Sequence, residues 1–143
     1  MGVVNHQIRI PLPLADAAIA MAAAPIAFVV RLDPALALGP YFSLTLGLAL
    51  TSSLLTPSLF FLFGTYRVYW PYAAWPEVLR TSAAALASTI ATAIILLPVV
   101  SRLSPLSIPR SVFALHFLLL LFGVACIRVI ERSRLRAQQP HVA

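Results

Sequence analysis

Two ionisable side chains stand inside long apolar stretches of this chain and could carry chemistry within a membrane. Asp16 interrupts the apolar run 12–30, and His116 lies in the run 112–127. An intramembrane carboxylate is a functional candidate, because an unpaired charge in hydrocarbon is costly, and a buried Asp16 could couple proton binding to transport. The alternative is structural: Asp16 lies near the start of its helix, where it can favour the positive helix end or pair with an arginine. Its shallow position favours the structural role.

The other candidate chemical groups lack the partners that catalysis needs. His116 has no acid beside it, and a lone histidine is more often a hydrogen-bonded interior residue than a proton relay. Ser111 has no nearby base, so a helix cap is the better interpretation than a nucleophile. The five glycines are widely separated, and the one cysteine excludes an internal disulfide. We therefore predict no catalytic, cofactor or metal site, and a chain that is not itself an enzyme.

Four apolar stretches, each long enough to cross a bilayer, must position these side chains. A membrane helix needs about 20 residues, and the stretches are 12–30, 41–63, 81–100 and 112–127. The chain is 61% hydrophobic and 10% charged, far from the composition of a soluble domain of this size. The first run is longer than the apolar part of a signal peptide, so we expect it to be retained. The sequence predicts an all-α polytopic membrane protein, a four-transmembrane-helix bundle over 12–130 between a polar N-terminus (1–11) and a basic tail (131–143).

The arginines predict the orientation of this bundle. All ten basic residues are arginine, and seven fall on the side of the two termini: Arg9, Arg67, Arg80, Arg128, Arg132, Arg134 and Arg136. Only Arg31, Arg102 and Arg110 fall on the other side. Since basic residues in short loops stay in the cytoplasm, we predict that both termini are cytoplasmic. The charge of +6 is then explained by anionic lipid headgroups, and we predict no nucleic-acid partner.

The loop 64–80 combines aromatic and basic side chains on the predicted cytoplasmic side. Tyrosine and tryptophan concentrate at the membrane–water boundary, and Pro71 and Pro76 would interrupt a long helix here. We predict a short amphipathic turn in the headgroup layer. The side chains predicted to contact lipid or a partner are Arg67, Tyr69, Trp70, Trp75, Arg80, Arg128, Arg132, Arg134 and Arg136.

The third span contains a stripe of small residues. Ala83, Ala87 and Ala91 recur at every fourth position, with Ser88 and Thr92 one place further on, and this is the spacing at which membrane helices approach closely. This spacing predicts that the stripe faces a neighbouring helix and that the third span is central in the bundle.

The order of these features resembles a known membrane module. The residues that carry the resemblance are Asp16, Arg31, the segment 63–72 (FGTYRVYWPY) and the segment 109–112 (PRSV). Together they resemble the N-terminal four-helix membrane domain of bacterial polysaccharide-biosynthesis proteins, the membrane-bound nucleotide-sugar 4,6-dehydratase/epimerase family (CapD-like). The middle segment is similar to the family pattern G-x-Y-R-x-x-W-R-Y, although Pro71 stands where that pattern has arginine. His116 likewise stands where an acid is expected.

The resemblance implies a function without an active site in this chain. The family's dinucleotide-binding domain and its glycine fingerprint are absent from the sequence, so the chain would be a non-catalytic membrane anchor or assembly module of envelope polysaccharide biosynthesis in the bacterial inner membrane. Fuller relatives would be NAD(P)-dependent enzymes. The implied partners are the lipid bilayer with its anionic headgroups and a cytoplasmic nucleotide-sugar enzyme or a second copy of the chain. Two alternatives stay open: a small proton-coupled transporter using Asp16, and the membrane preface of an initiating sugar-phosphate transferase.

Overall fold

The computed structural model describes residues 11–67 and 75–137, in which helices are joined by short turns and irregular segments. Its helices are α1 (Leu12–Arg31), α2 (Pro34–Leu38), α3 (Phe42–Leu62), a 3-10 helix (Thr65–Arg67), α4 (Trp75–Leu103) and α5 (Arg110–Ala137). The described part contains no β-strand. Four of these helices, α1, α3, α4 and α5, are long and apolar enough to cross a membrane. The prediction of an all-α chain with four membrane-spanning helices is confirmed at this level.

Two helices are longer than the sequence predicts. Helix α4 begins at Trp75, so residues 75–80 of the predicted interfacial loop are its first turns. Pro76 does not prevent this, because a proline in the first turn removes an N–H group that would have no helical partner. Helix α5 likewise continues to Ala137, so the beginning of the predicted basic tail is helical.

The four long helices pack in a ring in the order α1, α3, α4, α5. The most extensive contact joins α1 to α3, and α4 meets α5 least closely of the adjacent pairs. Alanines permit the close packing of α1: Ala20, Ala24 and Ala27 have no exposed surface. A Cβ atom on Gly123 would lie only 2.5 Å from the Ile19 side chain, so α5 approaches α1 most closely where it carries a glycine.

The buried face of α4 includes only part of the predicted small-residue stripe. Ala83 is exposed, whereas Ala84, Ser88 and Thr92 are fully buried. Burial of hydroxyls here is compatible with apolar surroundings because each has a partner: Thr56 and Ser88 share a hydrogen bond of 2.8 Å. The predicted stripe is therefore buried at Ser88 and Thr92 but exposed at Ala83. The predicted central position of the third span is wrong, because α1 and α3 form the main contact.

The outer surface of the bundle is apolar, as a lipid-facing surface requires. Large side chains that would be buried in a soluble protein are exposed on all four long helices, among them Leu14, Leu54, Ile94 and Phe122. Many hydroxyl side chains lie inside instead, where backbone carbonyls and other hydroxyls accept their hydrogen bonds. This distribution is the one that a bilayer selects.

Candidate functional site

Three polar side chains from three separate elements meet at one end of the bundle. Asp16 lies in the second turn of α1, Tyr66 in the 3-10 helix after α3, and Arg128 in the second half of α5. Arg128 Nη2 donates to Asp16 Oδ2 at 2.7 Å, and Tyr66 Oη donates to the same oxygen at 2.8 Å. We call these three residues the polar clamp, because their contacts join α1, α5 and the segment that follows α3.

The polar clamp is buried, and its charges compensate each other. The side chain of Asp16 has no exposed surface and that of Arg128 is 3% exposed. The Arg128 guanidinium also lies over the Tyr66 ring, 5.7 Å from its centroid, in cation–π geometry. Burial first, and then the negative charge of Asp16, raise the pKa of Tyr66 above its ordinary value, so its hydroxyl remains a donor at neutral pH.

A glycine turn places Tyr66 in the clamp. Helix α3 ends at Leu62, and Gly64 follows with φ of +70°, a conformation that side chains with a Cβ rarely adopt. The chain then turns back into the 3-10 helix, which brings Tyr66 over the start of α1. The Gly64-Thr65-Tyr66 sequence thus turns the chain at the end of α3 so that Tyr66 reaches Asp16.

The clamp holds the Asp16 carboxylate in a fixed position. The carboxylate of Asp16 is occupied by a fixed cation and a fixed hydroxyl on one oxygen, while Oδ1 has no hydrogen-bond partner among the residues that the structure describes. A buried pair of this kind fixes which helices meet, since breaking it would leave a charge buried without its partner.

A second polar contact joins the same two helices at the opposite end of the bundle. Arg31 Nε, in the last turn of α1, donates to Ser111 Oγ, in the first turn of α5, at 2.6 Å. Ser111 therefore lies inside the helix that begins at Arg110 and accepts from α1; it is not the cap that the sequence favours. Helices α1 and α5 are tied by polar side chains at both ends.

His116 lies in the interior, between α5 and the middle of α1. Its Nε2 atom is 3.4 Å from the carbonyl oxygen of Ala20, which also accepts from Ser52 Oγ at 3.2 Å. Its Nδ1 atom is buried without a partner in the described residues. This position is the one expected for an interior histidine held by a backbone carbonyl.

The remaining predicted contact residues divide into exposed and buried ones. The exposed members are Arg67, Trp75, Arg80, Arg134 and Arg136, and Arg132 is partly buried. Arg128 differs from the exposed members, because its side chain is only 3% exposed and pairs with Asp16. Tyr69 and Trp70 lie outside the described residues.

The sequence identified Asp16 as a site residue but not its two partners as a set. An arginine partner was expected, and Arg128 is the first arginine after the fourth apolar run. The available signal was topological: with four antiparallel spans, the start of the first and the end of the fourth lie on one side. Tyr66 gave no such signal, because its position depends on the Gly64 turn.

Neither a metal-ligand cluster nor a similarity to known proteins assigns a function to the described part of the chain. Within residues 11–67 and 75–137, the structure brings together no group of three or more His, Cys, Asp or Glu side chains that could hold a metal ion. Comparison with protein-family models, with curated proteins and with solved structures finds no match to this chain.

Proposed function

We propose that this chain is a non-catalytic membrane anchor for envelope polysaccharide biosynthesis. In this proposal the four-helix bundle lies in the bacterial inner membrane with both termini in the cytoplasm. It holds a cytoplasmic nucleotide-sugar enzyme beside its lipid-linked substrates, and tethering raises the effective concentration of the enzyme at that surface.

The observation that carries the proposal is the placement of the residues on which the family resemblance rests. Asp16 and Tyr66 belong to the polar clamp, and Arg31 and Ser111 form the contact at the opposite end. In this bundle the shared pattern thus specifies a helix arrangement and not a reaction. A module whose recognisable residues fix its own architecture is suited to anchoring a partner.

The exposed arginines supply a surface for that partner. Arg67 and Arg80 flank the interfacial segment, and Arg134 and Arg136 end α5 at the same end of the bundle as the polar clamp. The guanidinium groups can bind headgroup phosphates or acidic patches on a protein. On the opposite side the count of arginines is smaller, which supports the cytoplasmic assignment of the clamped end.

A proton-coupled transporter is the second candidate, and one observation favours it. Both Asp16 Oδ1 and His116 Nδ1 are buried without a partner in the described part of the chain, and such atoms can take part in proton transfer. The clamp argues against this role, because the Arg128 guanidinium and the Tyr66 hydroxyl both stabilise the ionised carboxylate and so oppose its protonation. An Asp16→Asn variant that abolished proton-coupled efflux from vesicles would favour transport over anchoring.

The proposal is tested by deleting the gene for this chain and restoring it. We expect deletion to reduce surface polysaccharide, and the wild-type chain to restore it, because the biosynthetic enzyme loses and regains its membrane anchor. The purified chain should leave nucleotide sugars unchanged when it is incubated with them and with NAD(P). Conversion of a nucleotide sugar by the purified chain, or normal polysaccharide after deletion, would contradict the proposal.

A further inference from the structure

A cavity of about 170 Å³ lies between α4 and α5 near the polar clamp. Its α4 wall is formed by Val78, Thr81 and Ser82. Its α5 wall is formed by Leu121, Ala125, Arg128, Val129 and Arg132. The cavity occurs where the two helices of an adjacent pair pack least closely, so it is a gap between membrane helices with one charged end.

The cavity has an apolar end and a cationic end along one face of α5. Leu121, Ala125 and Arg132 lie at positions i, i+4 and i+11, which places them on one side of the helix. At about 1.5 Å per residue, the distance along the axis from the leucine to the arginine is roughly 16 Å. A ligand in this cavity therefore needs an anionic group joined to a hydrocarbon chain.

Arg132 is the side chain in the wall that can receive an anion. The hydroxyls of Thr81 and Ser82 already donate to the carbonyls of Glu77 and Val78, and the charge of Arg128 is balanced by Asp16. Arg132 is partly buried, and its Nε–H is buried without an acceptor among the described residues. A guanidinium in the wall with a buried N–H that has no acceptor there can bind the negatively charged oxygen of a phosphodiester.

The size and opening of the cavity indicate a lipid and not a soluble ligand. Val78 and Val129 at its rim are 45% and 62% exposed, so the cavity opens on the apolar outer surface of the bundle. Its volume is below the roughly 300 Å³ at which pockets that enclose a small molecule begin. It can take a phosphate and the first part of an acyl chain while the rest of the molecule stays in the bilayer.

We propose that the cavity between α4 and α5 binds one anionic phospholipid, with its phosphodiester on Arg132 and an acyl chain against Leu121 and Ala125. Binding fills the gap between the two helices and compensates the buried guanidinium nitrogen. This site goes beyond the anchoring function and does not depend on which enzyme, if any, the bundle holds.

The test is native mass spectrometry of the purified chain released from bilayer nanodiscs that contain equal amounts of phosphatidylglycerol and phosphatidylcholine. We expect one phosphatidylglycerol to be retained in preference to phosphatidylcholine. Arg132→Gln should lower that retention about tenfold, the effect of losing a charge-assisted hydrogen bond. Arg134→Gln removes the same charge from an exposed position on the same helix and should leave retention unchanged.

A second pair of variants tests the apolar end of the cavity. Ala125→Leu adds bulk inside the cavity and should lower retention, whereas Ala114→Leu makes the same change on the exposed surface of α5 and should not. Equal loss in Arg132→Gln and Arg134→Gln, or equal retention of the two lipids by the wild-type chain, would overturn the proposal. Inorganic phosphate that bound the lipid-free chain through Arg132 would assign the site to a free anion and also overturn it.

Discussion

The central residue of this molecule is a carboxylate that is buried and compensated. Asp16 receives Arg128 and Tyr66 on one oxygen, and the three side chains come from distant parts of the chain. Buried ion pairs do not by themselves guarantee stability, because desolvation opposes the attraction. The ion pair favours one packing arrangement of α1 and α5, because only helices packed in this register bring Asp16 and Arg128 together.

Removing both charges of the pair should therefore lower the free energy of unfolding by less than the sum of the two single removals. We expect Asp16→Asn or Arg128→Gln alone to lower the free energy of unfolding by about 3–5 kcal/mol, because each leaves a buried charge without its partner. The double variant should cost clearly less than the sum of the two. Unfolding by SDS in mixed micelles measures these energies, with Asp33→Asn as the control, since Asp33 is an exposed helix cap that asparagine can replace. Additive losses would show that the two side chains do not interact.

The Tyr66 hydroxyl should contribute a separate and pH-dependent part of the stability. Tyr66→Phe removes one hydrogen bond to a charged group, with an expected cost of about 1.5–3 kcal/mol. Tyr41→Phe, which changes a ring packed against Phe28, should cost little. Because burial and Asp16 raise the folded-state pKa of Tyr66 above the ordinary value of 10.0, the advantage of wild type over Tyr66→Phe should be constant below pH 10.0 and decline above it. An advantage that declined between pH 6 and 8 would contradict this account.

At the scale of the elements, the sequence predicted the four long helices better than it predicted which face of each helix is buried. The four spans follow from length and apolarity alone, which is why α1, α3, α4 and α5 were all anticipated. The rotation of α4 about its axis was predicted only in part. One residue corresponds to about 100° of rotation, and small residues occur on several faces of this helix, so the sequence did not separate the buried Ser88 from the exposed Ala83. Hydrogen-bond partners on the neighbouring helix determine which face of α4 is buried: the Ser88 hydroxyl can be buried because it shares a hydrogen bond with Thr56 on α3.

Leucine substitutions at adjacent positions of α4 should report this rotation. Ala84 is fully buried, so Ala84→Leu should lower the free energy of unfolding by about 1–3 kcal/mol through overpacking. Ala83 is exposed on the outer surface, so Ala83→Leu should change it little. The same SDS titration measures both variants. A larger loss of stability at position 83 than at position 84 would show that Ala83, and not Ala84, lies on the packed face of α4.

At the scale of the whole molecule, an apolar surface encloses an interior in which polar side chains lie among apolar ones. Polar contacts join α1 to α5 at both ends of the bundle, Asp16 to Arg128 and Arg31 to Ser111. The sequence pointed to Asp16, Arg31 and the Tyr66 segment through a family pattern, but it could not show that they are contacts of one another. That required the antiparallel arrangement and the Gly64 turn.

The arginine distribution predicts the topology of the bundle, which two cysteine variants can measure. In a Cys126→Ser background, a membrane-impermeant maleimide should label Ser107→Cys in spheroplasts, since this exposed residue lies in the loop between α4 and α5. It should label Ser133→Cys, exposed near the end of α5, only after the membrane is permeabilised. The reverse pattern would place both termini outside the cytoplasm.

The anchoring function is tested most directly by the location of an enzyme activity. Nucleotide-sugar 4,6-dehydratase activity should be measured in the membrane and soluble fractions of cells with and without this chain. We predict that the activity is membrane-bound when the chain is present, and that it moves to the soluble fraction with its total unchanged when the chain is deleted. Activity that stayed in the membrane fraction after deletion would contradict the account.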